Sequence, residues 1–299
     1  MTNEISGGEV DNAVQASNIY GGVHFDTIRQ PFIESYQKAI DHLSSDRSHT
    51  RIAAVCVLGE LGQKYPSKRQ EIIEQLCEYL RLTPCEETTA EDRVRATAQK
   101  VIATHLRPAR NEHGEATNPE FWPEIDLDLS GTRLTDADFS SCEIRNGNFD
   151  DTIFQGGSNF TGARFRGTAS FKRTAFNLGS HCFEGAIFEN NSWFESIYFN
   201  GAAIFNRATF NRNADFSDLT FNDLADFAGI EVRFSIHFSY CLFKSAASFD
   251  SVKADFASFV HIRFDRFVSF ANAVVQQEPR WIKVVEMDPM AYRFEDDDF

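Results

Sequence analysis

No stretch of the 299 residues is apolar for long enough to span a bilayer, so no membrane anchoring is expected. The opening MTNEISGGEV is neither basic nor followed by an apolar run of signal type, and a cytoplasmic protein is expected. Basic segments are missing too. Against 44 Asp and Glu stand 29 Lys and Arg, giving a formal net charge of −15. A surface that tracks phosphates needs the opposite balance, so direct nucleic-acid binding is not expected. The six cysteines, Cys56, Cys77, Cys85, Cys142, Cys182 and Cys241, form no CxxC pair and keep no regular spacing. Spacing therefore gives no zinc or disulfide framework, and reduced thiols are expected.

Signatures of catalysis are as scarce. GxxxxGK[ST], GxGxxG, GxSxG and HExxH are absent. The eight histidines are scattered, and the adjacent His181 and Cys182 read as two exposed residues. Asp215 and Asp226 imitate paired acids but fall at solvated side positions of a repeat. No catalytic residue, cofactor or metal site is assigned, and an enzyme is not expected.

What the sequence has in excess is phenylalanine, 30 residues against 7 Tyr and 3 Trp. A bias towards the one ring without a polar handle points to a single packing site used many times. From residue 129 the apolar centres Leu129, Leu134, Phe139, Ile144, Phe149 and Phe154 recur every fifth position. Steps of six and five then alternate through Phe160, Phe165, Phe171 and Phe176. After a step of seven at Phe183 the series runs through Phe188, Phe194, Phe199, Phe205, Phe210, Phe216, Phe221 and Phe227. It wavers at Val232, resumes at Phe238, Phe243 and Phe249, and ends irregularly around Phe256, Phe259, Phe264 and Phe270.

Neither regular element keeps these rings together. A step of five turns a helix by about 140° and a step of six by about 240°, which scatters them. On a strand an odd step reverses the face. A chain that turns a corner in every repeat points each centre at one axis, and four sides close a coil that stacks on the next. Small residues two positions before many centres (Ala137, Ala163, Ala169, Ala186, Ala203, Ala208, Ala214, Ala225, Ala247) must face inwards as well. The six-residue steps require some sides to carry an extra, bulged residue.

The segments 129–139, LSGTRLTDADF, and 213–218, NADFSD, resemble the bacterial pentapeptide-repeat proteins, whose unit is roughly Ala-(Asp/Asn)-(Leu/Phe)-x-x. The resemblance covers about half the chain. It implies a right-handed quadrilateral β-helix, a pentapeptide-repeat solenoid with a Phe core; apolar residues at helical spacing over 29–106 add a small N-terminal helical bundle before it, making an α+β protein. The expected units are a tail over 1–25, a helical unit over 26–106, a linker and cap over 107–124, the β-helix over 125–275, and a C-terminal cap with an acidic tail over 276–299. In the helical unit, Pro31 suits a first turn, Ser67-x-x-Gln70 and Thr88-x-x-Glu91 read as capping boxes, and Pro84 ends the third helix. The stretches around 58–64 and 71–81 resemble the HEAT-like helical unit that precedes such repeats, and a generic helical cap fits them equally. In the linker, Phe121 and Trp122 are candidates to plug the open end of the solenoid.

The N-terminal run Val14-Gln15-Ala16-Ser17-Asn18-Ile19-Tyr20-Gly21-Gly22-Val23-His24-Phe25 resembles bacterial amyloid signalling motifs. Gln can form side-chain ladders up a cross-β stack, and Val, Ile and Phe can fill a dry zipper. Ser17 stands where the motif has Gly, and Ala16 where it has a β-branched residue. Val14, Gln15, Ala16, Ser17, Ile19, Val23 and Phe25 are the candidate assembly residues, with a disordered tail as the other reading. The resemblance implies self-assembly and templating with a protein partner, a sensor bearing a similar motif. The function expected is a non-enzymatic scaffold or effector in bacterial signalling. The alternative is a DNA-mimicking inhibitor of a type II topoisomerase, against which the interleaved Arg164, Arg166, Arg207, Arg212, Arg263 and Arg266 argue. The segment 281–287 can cap the last coil or pair two chains.

Overall fold

The computed structural model describes residues 26–82, 88–282 and 284–286. Helices α1 (Asp26–Leu43), α2 (Ser48–Lys64), α3 (Arg69–Arg81) and α4 (Thr89–Leu106) come first. A parallel β-solenoid of about 7 turns with a buried Phe core follows. Among the described residues no helix is long and apolar enough to cross a membrane.

Apolar residues at helical spacing build the first unit: Val55, Leu58 and Leu61 on α2, Ile72, Ile73, Leu76 and Leu80 on α3, Val94, Ala98 and Ile102 on α4 are all buried. Thr88 caps α4, its side chain accepting from the Glu91 N–H at 3.2 Å. Two local expectations fail. Helix α1 begins at Asp26, so Pro31 lies inside it rather than in its first turn. Ser67 caps nothing, because the chain enters α3 through a 3-10 turn over Pro66–Lys68. Gln70 faces the solenoid instead, donating to Asp126 O and accepting from its N–H, both at 3.0 Å. The expected stop at Pro84 lies outside the described residues.

In the solenoid each coil has four sides, numbered here in chain order. Side 1 is centred on Leu129, Phe149, Phe171, Phe194, Phe216, Phe238 and Phe259. Side 2 is centred on Leu134, Phe154, Phe176, Phe199, Phe221, Phe243 and Phe264. Side 3 takes Phe139, Phe160, Phe183, Phe205, Phe227, Phe249 and Phe270, and side 4 takes Ile144, Phe165, Phe188, Phe210, Val232 and Ala254. Parallel pairing joins each centre to its counterpart one coil on, as Phe194 to Phe216 and Phe199 to Phe221, or Phe165 to Phe188 to Phe210. Rings on one side stack face to face: Phe149 to Phe171 at 4.7 Å, Phe171 to Phe194 at 4.9 Å, Phe194 to Phe216 at 4.7 Å. Across the axis they meet edge to face, Phe194 to Phe205 at 5.3 Å and 87°. Both arrangements suit the ring quadrupole. Every centre from Phe149 to Phe227 is fully buried, and so are the alanines two residues before them.

The alternating step has a corner-by-corner cause. From side 1 to side 2 and from side 3 to side 4 the step is always five. There the second residue after the centre has positive φ, as at Asp151, Arg173, Ser196, Asp218, Tyr240 and His261 on one edge and Gly162, Gly185, Arg207 and Gly229 on the other. The N–H three residues on often returns to the centre's carbonyl, as from Thr152 to Phe149 and from Ala208 to Phe205. This is the pattern of a type II turn. The extra residue enters only at the other two corners, so the expected bulge lies at corners rather than along sides.

The first coil has no predecessor to donate to its carbonyls, and side chains of the helices take that place. In the second coil Asn146, Asn148 and Asp150 O accept from Leu127, Leu129 and Gly131 N–H, and Asn159 and Thr161 O accept from Phe139 and Ser141 N–H. The equivalent carbonyls one coil earlier are served by Gln70 at Asp126, by Arg81 at Asp128 (3.2 Å) and Ser130 (2.9 Å), and by Arg107 at Asp138 and Ser140 (both 2.8 Å). Arg95, only 8% exposed, donates to Arg133 O at 2.9 Å while also holding Leu80 O and Leu82 O. Helices α3 and α4 therefore form an end cap that supplies hydrogen bonds as well as apolar cover.

Candidate interaction surface

Outward positions lie one residue before and one after each centre, and the four sides differ in what they carry there. Side 1 carries Lys172, Glu195 and Asp215. Side 3 carries Asp138, Glu184, Asp226 and Asp250. Side 4 carries Arg164, Arg166, Glu189, Glu231, Arg233 and Lys253. Many of these charges pair between coils, Arg164 with Glu189 (2.5 Å), Lys172 with Glu195 (3.2 Å) and Lys253 with Glu231 (3.3 Å), and Glu184 pairs with the corner residue Arg207 (3.3 Å).

Side 2 is different. From the second coil to the fifth its outward positions read Ile153 and Gln155, Ala175 and Asn177, Tyr198 and Asn200, Thr220 and Asn222, none of them charged; Leu242 and Lys244 come next. Tyr198 is 62% exposed. The corners beside this side expose Leu178, Leu224, Tyr240 and Phe267. Gln155, Asn177, Asn200 and Asn222 line a shallow groove of about 560 Å³ with Gly156 and Leu178. Asn222 Nδ2 donates to Asn200 Oδ1 at 2.7 Å, whereas the Asn177 carboxamide makes no hydrogen bond among the described residues. A neutral, amide-lined, aromatic-studded face suits docking of protein, because desolvating it strands no charge.

The residues that only imitate catalytic groups have structural surroundings of their own. Asp226 is half buried, and its carboxylate accepts from Ala228 N–H at 2.9 Å, so it braces the turn instead of lying free in solvent. His181 is fully buried, which corrects its reading as exposed. The seven-residue step adds a residue at the corner, where Leu178 stands exposed, and with Ser180 already paired to Ala202 it sets His181 in an inward position between Ser158 and Ala203. Its Nε2 lies 2.6 Å from Asn177 O and so carries the proton, leaving Nδ1 to accept from Ser158 Oγ at 3.0 Å. Cys182 is half buried beside Thr161 Oγ1. Burial pushes the thiols of Cys77, Cys142 and Cys241 up to about 12, out of the reactive range. Among the described residues no group of three or more His, Cys, Asp or Glu could hold a metal ion. The assembly residues Val14, Gln15, Ala16, Ser17, Ile19, Val23 and Phe25 lie outside the described residues. In the segment 281–287 only residues 283 and 287 do, and Trp281 stacks on Phe259 of the last coil at 4.4 Å.

A cleft of about 620 Å³ between α2 and α4 is lined by Cys56, Gly59, Lys100 and Val101 and reaches His105. That imidazole serves packing: it stacks on Trp122 at 3.8 Å, and its Nδ1 donates to Glu120 O at 2.8 Å. Trp122 itself is buried among the helices. Its Nε1–H donates to Gln63 at 2.9 Å, and a Cβ on Gly62 would fall 2.2 Å from its ring. Phe121 is half buried.

Residues 129–175 and 183–231 match the family of pentapeptide repeats (9 copies). The interruption falls on the seven-residue step between Phe176 and Phe183. The match ends where the pairing register slips between Val232 and Ser235. Coils of the same cross-section continue past it to Phe270. No curated protein and no solved structure matches the chain.

Burial lowers the pKa of both His105 and His181. A depressed histidine binds its proton less well folded than unfolded, so its contribution to stability is complete above about pH 6.5 and is lost as pH falls through the folded value. Unfolding midpoints in urea are therefore expected to fall between pH 7 and 5, before carboxylates titrate. His181→Gln is expected to be less stable at pH 7 and to show a shallower fall.

Proposed function

We propose that this chain is a non-enzymatic, protein-binding scaffold that acts in signalling, docks a protein on side 2 of its solenoid and is recruited through residues 1–25. The neutral run from Ile153 to Leu242, amid sides that carry interleaved charges, is the observation that supports docking there. The recruiting role rests on the Val14–Phe25 segment and its likeness to amyloid signalling motifs. Its partner is then a sensor with a similar segment. DNA mimicry needs one continuous acidic face, and the ion pairs between successive coils break up the acids.

The docking test places a photo-crosslinking residue at Tyr198 on side 2 and, as a control, at Ile204 on side 3. Protein adducts at 198 and none at 204 are expected; adducts at neither, or equally at both, reject the reading. The recruiting role is tested by comparing the full chain with one lacking residues 1–25. Only the full chain should form seeded assemblies with spacings near 4.7 Å and about 10 Å. Equal solubility of both forms under seeding rejects recruitment by assembly.

A further inference from the structure

Aligned coil by coil, one outward row of side 2 has the chemistry of a palindrome. The row before the centres runs Arg133, Ile153, Ala175, Tyr198, Thr220, Leu242, Arg263. It reads cation, branched apolar, small, tyrosine, small, branched apolar, cation. The row after the centres runs Thr135, Gln155, Asn177, Asn200, Asn222, Lys244, Asp265, with a carboxamide on either side of Asn200. The symmetry of this second row is confined to Asn177, Asn200 and Asn222, centred on the same coil as Tyr198; beyond them Gln155 falls opposite Lys244 and Thr135 opposite Asp265.

We propose that side 2 docks a second copy of this chain, antiparallel, about a two-fold axis at Tyr198 and Asn200; this names the partner of the docking surface proposed above and rests on that reading. An isologous interface places each residue opposite the one that mirrors it about the axis. Here Ile153 meets Leu242 of the second copy, Ala175 meets Thr220, Asn177 meets Asn222, and Tyr198 and Asn200 meet themselves. A carboxamide both donates and accepts, so it can pair with its own kind, as a row of carboxylates or guanidiniums cannot. The unbonded Asn177 amide gains a partner in this arrangement. Spacing agrees as well, since rings on side 2 repeat at 4.9, 4.6 and 5.1 Å from Phe154 to Phe221 and a second copy of the same side keeps that step. At the ends Arg133 approaches Arg263 of the copy, and Asp265, 2.5 Å from Arg263, offsets the like charges.

The footprint bounds the affinity. About seven coils at roughly 4.8 Å, each side about five residues of about 3.3 Å wide, give on the order of 500 Å². A standard interface has roughly 800 Å² per partner. The exposed Leu178, Leu224, Tyr240 and Phe267 at the corners add to the smaller figure. The dimer is therefore expected to be reversible, with Kd on the order of micromolar.

The test uses the full chain in sedimentation equilibrium over a concentration series. Wild type should pass from monomer to dimer. Tyr198→Arg and Tyr198→Glu each set like charges against each other at the axis and should weaken dimerisation at least tenfold, with circular dichroism unchanged because the position is exposed. An equal mixture of the two variants should dimerise again. A wild type monomeric throughout, or a mixture no better than its components, overturns the proposal. The crosslinker at position 198 separates the two readings. An adduct of twice the chain mass supports the dimer, an adduct with another protein overturns the dimer and leaves protein docking standing, and no adduct overturns both.

Discussion

Phe194→Asp is expected to unfold the coils around it. The ring lies 4.9 Å from Phe171 and 4.7 Å from Phe216 in its own stack, and it meets Phe183, Phe188 and Phe205 edge-on. Truncation of such a residue to Ala costs about 3–5 kcal/mol. Asp adds a carboxylate with no donor in reach, at a further cost of several kcal/mol. A domain of ordinary stability, about 5–15 kcal/mol, does not hold its coils against that sum. Because each coil touches only its neighbours, damage should start locally and spread along the axis. Hydrogen exchange should show protection lost first between about residues 165 and 227 and longest retained in α2 to α4. Phe194→Leu keeps an apolar filling and should cost far less. A Phe194→Asp chain with an unchanged urea midpoint would refute a continuous ring core.

The ring ladder was legible in the sequence because one residue type repeats at a spacing that neither helix nor strand tolerates. The alternation of five and six was legible as a count but not as a place. Left-handed corners usually announce themselves by Gly or Asn, and here Arg173, Ser196, Arg207 and Tyr240 occupy them. Neighbouring coils over-determine those backbones, since the pairing runs on either side of each corner, so local preference loses to the ladder. His181 was misread for a related reason. Its burial depends on one extra residue in the step from Phe176 to Phe183, which shifts the frame, and on Ser158 and Ala203 in adjacent coils, which lie 23 and 22 positions away. The same separation hid side 2. Ile153, Ala175, Tyr198, Thr220 and Leu242 form a row only after the coils are set in register. Helical arginines carried no signal at all, because a guanidinium on an amphipathic helix reads as solvated until the end of a solenoid is placed against it.

Arg95 decides whether the helices are part of the solenoid or merely attached to it. Its guanidinium spans three carbonyls: Leu80 and Leu82, which belong to the unpaired last turn of α3, and Arg133 in the first coil. Arg95→Met keeps an apolar stem of similar length and removes every donor. Bonds from a charged donor contribute about 1.5–3 kcal/mol each, and a carbonyl left buried and unpaired costs about 1–3 kcal/mol. Since water can reach part of the site, a loss of about 3–5 kcal/mol is expected, larger than that for the more exposed Arg81→Met. The form of the transition matters more than its midpoint. If the cap and solenoid fold as one unit, wild type should melt in a single step, and Arg95→Met should split that step by releasing the helices from the first coil. Two transitions already present in wild type, with neither moved by the substitution, would mean that the guanidinium contacts add nothing to the junction. The buried apolar surface between α4 and the first coil, from Ala103 and Leu106 to Leu134 and Cys142, would then hold the cap in place without them.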